Sequence, residues 1–153
     1  MSNGPSKGTY CLLIHLKTDS EISIGKLGRI DFKKGYYFYV GSALNSLEGR
    51  IRRHLRDQKK LFWHIDYLLA QKNAEIVDVI FAINDSKWEC KIALEIARKG
   101  HVIENFGCSD CKCDSHLFFF KDCSYLDDIC ENAFLSFNLK PKHLKTIGED
   151  LNI

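Results

Sequence analysis

A chain of 153 residues that is 45% hydrophobic and 27% charged has the length and make-up of one globular domain with a real core. No apolar run approaches the roughly 18 residues of a membrane-spanning helix. The opening Met1-Ser2-Asn3-Gly4-Pro5-Ser6-Lys7 lacks the apolar centre of a secretory signal, so a cytoplasmic protein with mostly reduced cysteines is expected.

The apolar, β-prone run Tyr10-Cys11-Leu12-Leu13-Ile14 predicts a strand over 9–16. Ile22-Ser23-Ile24 and Arg29-Ile30-Asp31-Phe32, broken by Gly25 and Gly28, predict a short hairpin, and residues 36–41 a further strand. Leu47, Ile51 and Leu55 then recur every four residues, predicting a helix over about 47–58 with that stripe buried, followed by a helix over 63–71. A strand at 76–81, a helix over 87–99, a strand at 117–120 and a C-terminal helix near 126–137 complete the set. Strands grouped early with helices later predict an α+β fold, a small antiparallel or mixed sheet flanked by helices. With no repeat and no linker, one unit is expected: a flexible N-terminus at 1–7, a main domain at 8–120, and a helical extension at 121–153 packed on it.

The net charge of +2 conceals an asymmetry. Residues 1–72 hold 13 Lys and Arg against 6 Asp and Glu, while residues 73–153 hold 9 against 14. The excess lies in Arg50, Arg52, Arg53, Arg56, Lys59 and Lys60, with only Asp57 among them. A polyanion such as nucleic acid is the natural partner, a solvated helix face the alternative. Arg50 and His54, one turn apart, flank the apolar stripe, so they are expected to face a pocket against the sheet. Arg52, Arg53, Arg56, Lys59 and Lys60 are expected to follow a phosphate backbone. A surface salt bridge for Arg50 and a packed core histidine for His54 are the competing readings.

Tyr10 and Tyr39 each sit on a predicted strand. A phenol, with a reference pKa of roughly 10, activates water only when a cation or metal stabilises the phenolate; otherwise these are core tyrosines. Glu89 falls on the same helical side as Trp88, Ile92 and Ile96, and a buried carboxylate needs a partner. The alternative is a first-turn carboxylate favoured by the helix dipole, with Ser86 as the cap.

Gly8-Thr9-Tyr10, then Tyr39-Val40-Gly41, then a basic helix carrying Arg50 and His54, resembles the GIY-YIG nuclease superfamily. The strings Gly35-Tyr36-Tyr37-Phe38-Tyr39-Val40-Gly41-Ser42-Ala43, Trp63-His64-Ile65-Asp66-Tyr67-Leu68-Leu69 and Cys108-Ser109-Asp110-Cys111-Lys112-Cys113-Asp114-Ser115-His116-Leu117 resemble a small branch of it, over residues 8–120. The resemblance implies a metal-dependent endonuclease, with DNA a more natural substrate than RNA. In that reading Tyr39 or Tyr10 assists deprotonation of the attacking water, Arg50 stabilises charge on the scissile phosphate and His54 stands beside the site. Glu89 holds the single metal ion, Mg²⁺ or Mn²⁺, with Glu95 as the fallback. A non-catalytic nucleic-acid-binding module on the same fold is the alternative.

Cys108, Cys111, Cys113 and His116 offer four ligands within nine residues, which suggests Zn²⁺ and, more remotely, a redox or zinc-sensing role. One tight loop would then have to wrap all four corners of a tetrahedron, so reduced thiols are the expected state. Asp110 and His116 have a second reading, orientation toward the active site. Cys11, Cys90, Cys123 and Cys130 read as small core hydrophobes.

Overall fold

A strand that is apolar on both faces belongs in the middle of a sheet covered on both sides, and Gly8–Leu16 (β1) takes that place. The computed structural model describes residues 6–108 and 113–144. After β1 come the hairpin strands β2 (Ser20–Ile24) and β3 (Gly28–Phe32), then β4 (Gly35–Ala43), α1 (Leu47–Leu55) and α2 (His64–Leu69). These are followed by β5 (Ala74–Ile83), α3 (Glu89–Ala97), β6 (His101–Val102), β7 (Leu117–Phe120), α4 (Leu126–Leu135) and β8 (Lys142–His143). The six-stranded sheet runs β6-β7-β4-β1-β5-β8 and every pairing in it is antiparallel. The β2–β3 hairpin forms a separate two-stranded sheet.

Alternation along the strands divides the core in two. Tyr10, Leu12, Ile14, Tyr37, Tyr39, Val79 and Phe81 pack with α1, α2 and the hairpin on one face. Cys11, Leu13, Phe38, Val40, Ile80 and Ala82 pack with α3 and α4 on the other. The register of β1 on β4 sets Tyr10 opposite Gly41 and Leu12 opposite Tyr39, so both motif tyrosines stand on the face that carries α1.

Several boundaries move for physical reasons. The basic helix stops at Leu55, because the Lys59 ammonium folds back and donates to the carbonyls of Arg53, His54 and Arg56 at 3.1, 2.7 and 3.1 Å, capping the helix end. The helix expected from residue 87 begins at Glu89. Ser86 does not cap it; the Ser86 backbone N–H donates to Asn84 Oδ1, and Trp88 holds the N-cap position. The two-residue strands β6 and β8 are too short to leave any periodic trace in the sequence.

The expected N-terminal lead is partly tied down. Ser6 N–H donates to Glu48 Oε1 at 3.0 Å, Leu47 N–H donates to the Ser6 carbonyl, and Asn84 N–H to that of Lys7; residues 1–5 lie outside the described residues. The extension after residue 120 is more than helix. Leu126, Cys130, Ala133 and Phe134 of α4 enter the second core face, and β8 extends the sheet beside β5. There His143 bridges Asp78 Oδ2 at 2.6 Å and Glu131 Oε1 at 2.8 Å. Burial alone would lower its pKa, but the two carboxylates outweigh that and raise it. Among the described residues no helix is long and apolar enough to cross a membrane.

Candidate active site

The strands place Tyr10 and Tyr39 side by side on β1 and β4, and the N-terminal turn of α1 brings Arg50 over them. Ser46 starts that turn by accepting Gly49 N–H on its hydroxyl at 2.9 Å. Opposite stands the first turn of α3, with Glu89. These four, together with Ser42, Trp63, His64, Lys87 and His116, line one polar cleft of ≈ 560 Å³. Gly41 is part of the reason the cleft exists: a Cβ there would lie 2.5 Å from the Tyr10 hydroxyl, so the glycine of the second motif makes room for the tyrosine of the first. Gly107 performs a similar service at φ +72, where a Cβ would fall 3.0 Å from the Tyr39 ring.

Arg50 is held on two sides, donating to the Ser42 carbonyl at 3.1 Å and lying 4.5 Å from the centroid of the Trp63 ring. Both tyrosines are buried, which pushes their pKa values well up. For Tyr10 the Arg50 guanidinium pulls back toward the phenolate, and for Tyr39 Tyr10 and Glu89 push further upward while Arg50 opposes. At neutral pH both are phenols. Arg50 therefore moderates the effect of burial without reversing it, and neither tyrosine rests as a phenolate base.

His54 is both a core histidine and a neighbour of the site. It is 2% exposed, and its Nε2 lies 2.7 Å from the Tyr10 hydroxyl. Burial first, then Lys59, pushes its pKa down from 6.5 to about 3, so it is neutral at physiological pH. Among the described residues its buried Nδ1 has no hydrogen-bond partner. An unmet lone pair costs less than an unmet N–H, which selects the tautomer protonated on Nε2, donating to the Tyr10 oxygen. Tyr10 then keeps its own O–H for the cleft. A histidine whose native pKa is depressed contributes stability that is complete above its unfolded value of 6.5 and is lost as pH falls toward 3, because only the unfolded chain takes up the proton. The loss should approach about 1.4 kcal/mol per pH unit below 6.5. His64 and His116, also lowered, act in the same sense, and His143 acts in the opposite one. Urea unfolding at pH 7 and pH 4.5 should therefore show a smaller acid loss in His54→Gln than in the unsubstituted chain; equal losses would remove His54 from this account.

The basic stretch divides. Arg53 does not reach for solvent. Its Nη1 and Nη2 donate to Asp66 Oδ1 and Oδ2 at 2.9 and 2.8 Å, Nη2 also donates to the Lys60 carbonyl, and the guanidinium lies 4.3 Å from the Trp63 centroid. Asp66 is fully buried on α2 and also accepts the backbone N–H groups of Phe62 and Trp63, both at 2.9 Å. Burial alone would raise its pKa, but Arg53 and these N–H groups outweigh that and lower it. Arg53 and Lys59, expected on a phosphate track, are engaged with the protein's own acceptors because Asp66 and the helix carbonyls lie within their reach. Arg52, Arg56 and Lys60 are exposed.

Three cleft residues gave no separate signal in the sequence. His64 accepts Gly107 N–H on Nδ1 at 2.9 Å, so its neutral ring carries the proton on Nε2. Lys87, just before α3, adds an ammonium to the lining, and Trp63 forms the wall on which Arg50 and Arg53 lie. His64 and Trp63 were legible only as members of the Trp63–Leu69 string.

The cysteine cluster is rearranged. Cys113 and His116 meet Cys90 from α3, with the Cys90 Sγ 3.7 Å from His116 Nε2. Cys108 Sγ lies 3.7 Å from the Asp114 carbonyl, while Cys111 and Asp110 are outside the described residues. His116 lines the cleft, its Nδ1 4.0 Å from Glu89 Oε2; burial lowers its pKa and Glu89 opposes. Cys11 and Cys130 are core residues as expected, whereas Cys90 is half-buried and Cys123 is exposed.

A family model described as a domain of unknown function, DUF123, matches residues 9–139. No curated protein and no solved structure matches the chain.

Proposed function

We propose that this chain, which belongs to the DUF123 family, is a metal-dependent endonuclease that hydrolyses DNA phosphodiester bonds in the cleft between β1, β4, α1 and α3. The observation that carries the reading is the convergence of Tyr10, Tyr39, Arg50 and Glu89, residues far apart in sequence, on that one cleft. A half-buried guanidinium stacked on an aromatic ring is pre-organised for phosphate oxygens.

Glu89, one carboxylate open to a polar cleft, suits Mg²⁺ or Mn²⁺, which is commonly bound through one or two carboxylates with waters and substrate phosphate completing the shell. A divalent cation held there supplies Lewis-acid charge at the phosphate and acidifies bound water. The residues do the rest. Tyr39, the more open of the two phenols at 8% exposure, accepts a hydrogen bond from the attacking water and sets its line of approach. Tyr10 directs its O–H to a phosphate oxygen, backed by His54. Arg50 neutralises charge as the bond from water oxygen to phosphorus forms and the ester P–O bond breaks. Lys87 gives the leaving oxygen its proton, and the proton released by the attacking water passes to solvent, because neither phenol is ionised to take it.

A second reading, a nucleic-acid-binding module without catalysis, draws on the burial that keeps both phenols protonated. Incubation with labelled plain, nicked and branched DNAs separates the two. Cleavage with Mg²⁺ or Mn²⁺ that chelator abolishes is the expected result; retention of every DNA uncut in either metal would leave only the binding module. In the same assay, affinity should fall steeply with salt, and replacing Arg52 and Arg56 by Ala should flatten the log–log slope by roughly 0.9 per lost phosphate contact.

A further inference from the structure

We propose that Cys90, Cys113 and His116 form a Zn²⁺ site beside the cleft. The one-loop objection to zinc disappears once the donors are seen in three dimensions. Cys90 comes from the first turn of α3, 26 residues before His116, so two separate elements supply the ligands. The ligand atoms of all three residues lie within 4.8 Å of one another, and the Cys90 Sγ to His116 Nε2 distance is 3.7 Å. A tetrahedral ion with Zn–S near 2.3 Å and Zn–N near 2.0 Å has edges of roughly 3.5–3.8 Å, so little movement is needed to close the site.

His116 is anchored for the task. Its backbone N–H donates to the Phe106 carbonyl at 2.8 Å, its carbonyl accepts Val40 N–H at 2.9 Å, and the side chain is nearly buried. With Nε2 toward the thiols, Nδ1 faces the Glu89 carboxylate at 4.0 Å. At 4.0 Å the pair is beyond hydrogen-bond length, so the carboxylate–histidine–metal order found at many zinc centres would need the two groups to close by about 1 Å. Two thiolates with an imidazole are soft and borderline donors, which select Zn²⁺ over the hard Mg²⁺ suited to Glu89 alone. Three protein donors leave one corner open to water or another thiolate. The ion would pin the start of α3, and so Glu89, to the segment entering β7. The inference stands on donor geometry and is independent of DNA cleavage.

The test uses the reduced full chain titrated with Co²⁺ or Zn²⁺ alone. About one equivalent should bind, with thiolate-to-cobalt charge-transfer absorption, release of about two thiol protons per ion, and a raised melting temperature. Cys90→Ser and Cys113→Ser should each weaken Co²⁺ binding by more than about 100-fold, exceeding the 10- to 100-fold typical of an outer partner. Circular dichroism checks that the variants are folded, and the wild-type titration stands whether or not they are. Absence of the thiolate–cobalt band in the reduced wild type, or a folded Cys90→Ser chain that binds as tightly as wild type, would overturn the assignment.

Discussion

Glu89→Gln should abolish divalent-metal-dependent DNA cleavage, a loss of at least about 100- to 1,000-fold in turnover, while leaving DNA affinity within about two-fold. The amide keeps the shape of the side chain at the start of α3 but removes the charge that would hold the cation, and Glu89 lies apart from the exposed Arg52, Arg56 and Lys60. Tyr39→Phe should give a loss of similar order, since it deletes one hydroxyl from the cleft and leaves the ring that packs near His54 and Phe106. Arg50→Ala should lose both activity and affinity, because its guanidinium serves the ground state and the transition state alike. A Glu89→Gln protein that cuts at the wild-type rate, on a DNA the wild type cleaves, would remove Glu89 as the metal ligand.

Arg53→Ala should cost about 3–5 kcal/mol of folding stability, the usual penalty for stranding one member of a buried ion pair. Asp66 is fully inaccessible, and the substitution leaves its carboxylate with two backbone N–H donors in place of two N–H donors plus a bidentate cation. For a chain of this length the melting temperature should fall by roughly 10 °C. Arg53→Lys should recover only part of it, because an ammonium cannot reproduce two parallel bonds while lying on the Trp63 ring. Arg52→Ala, at an exposed position on the same helix, should stay within about 0.5 kcal/mol of the parent. Equal effects of Arg53→Ala and Arg52→Ala in urea titrations would contradict the assignment of Arg53 to the fold.

Patterns carried by near neighbours were legible without coordinates. The continuous apolar run of β1, the glycine turn signals of the hairpin around Gly25 and Gly28, and the four-residue recurrence of Leu47, Ile51 and Leu55 are all carried by residues close in sequence. They were enough for an α+β sheet protein and for the positions of Tyr10, Tyr39, Arg50 and Glu89 on their elements. The edges of the sheet were not legible, because two-residue strands such as β6 and β8 exist only by virtue of the neighbour they pair with.

Electrostatic fate was likewise beyond the sequence. Arg52 and Arg53 are adjacent and chemically identical, yet one is exposed and the other is clamped to a carboxylate 13 residues away, because packing of α1 against α2 decides which guanidinium meets Asp66. The same holds for the cysteines. Their spacing by itself determined that Cys113 and His116 would be close, whereas only the folding of α3 against β4 and β7 brought Cys90 to them. Local periodicity is set by covalent geometry and neighbouring residues; partner choice over 13 or 26 residues is set by which faces bury against each other, and that belongs to the tertiary structure.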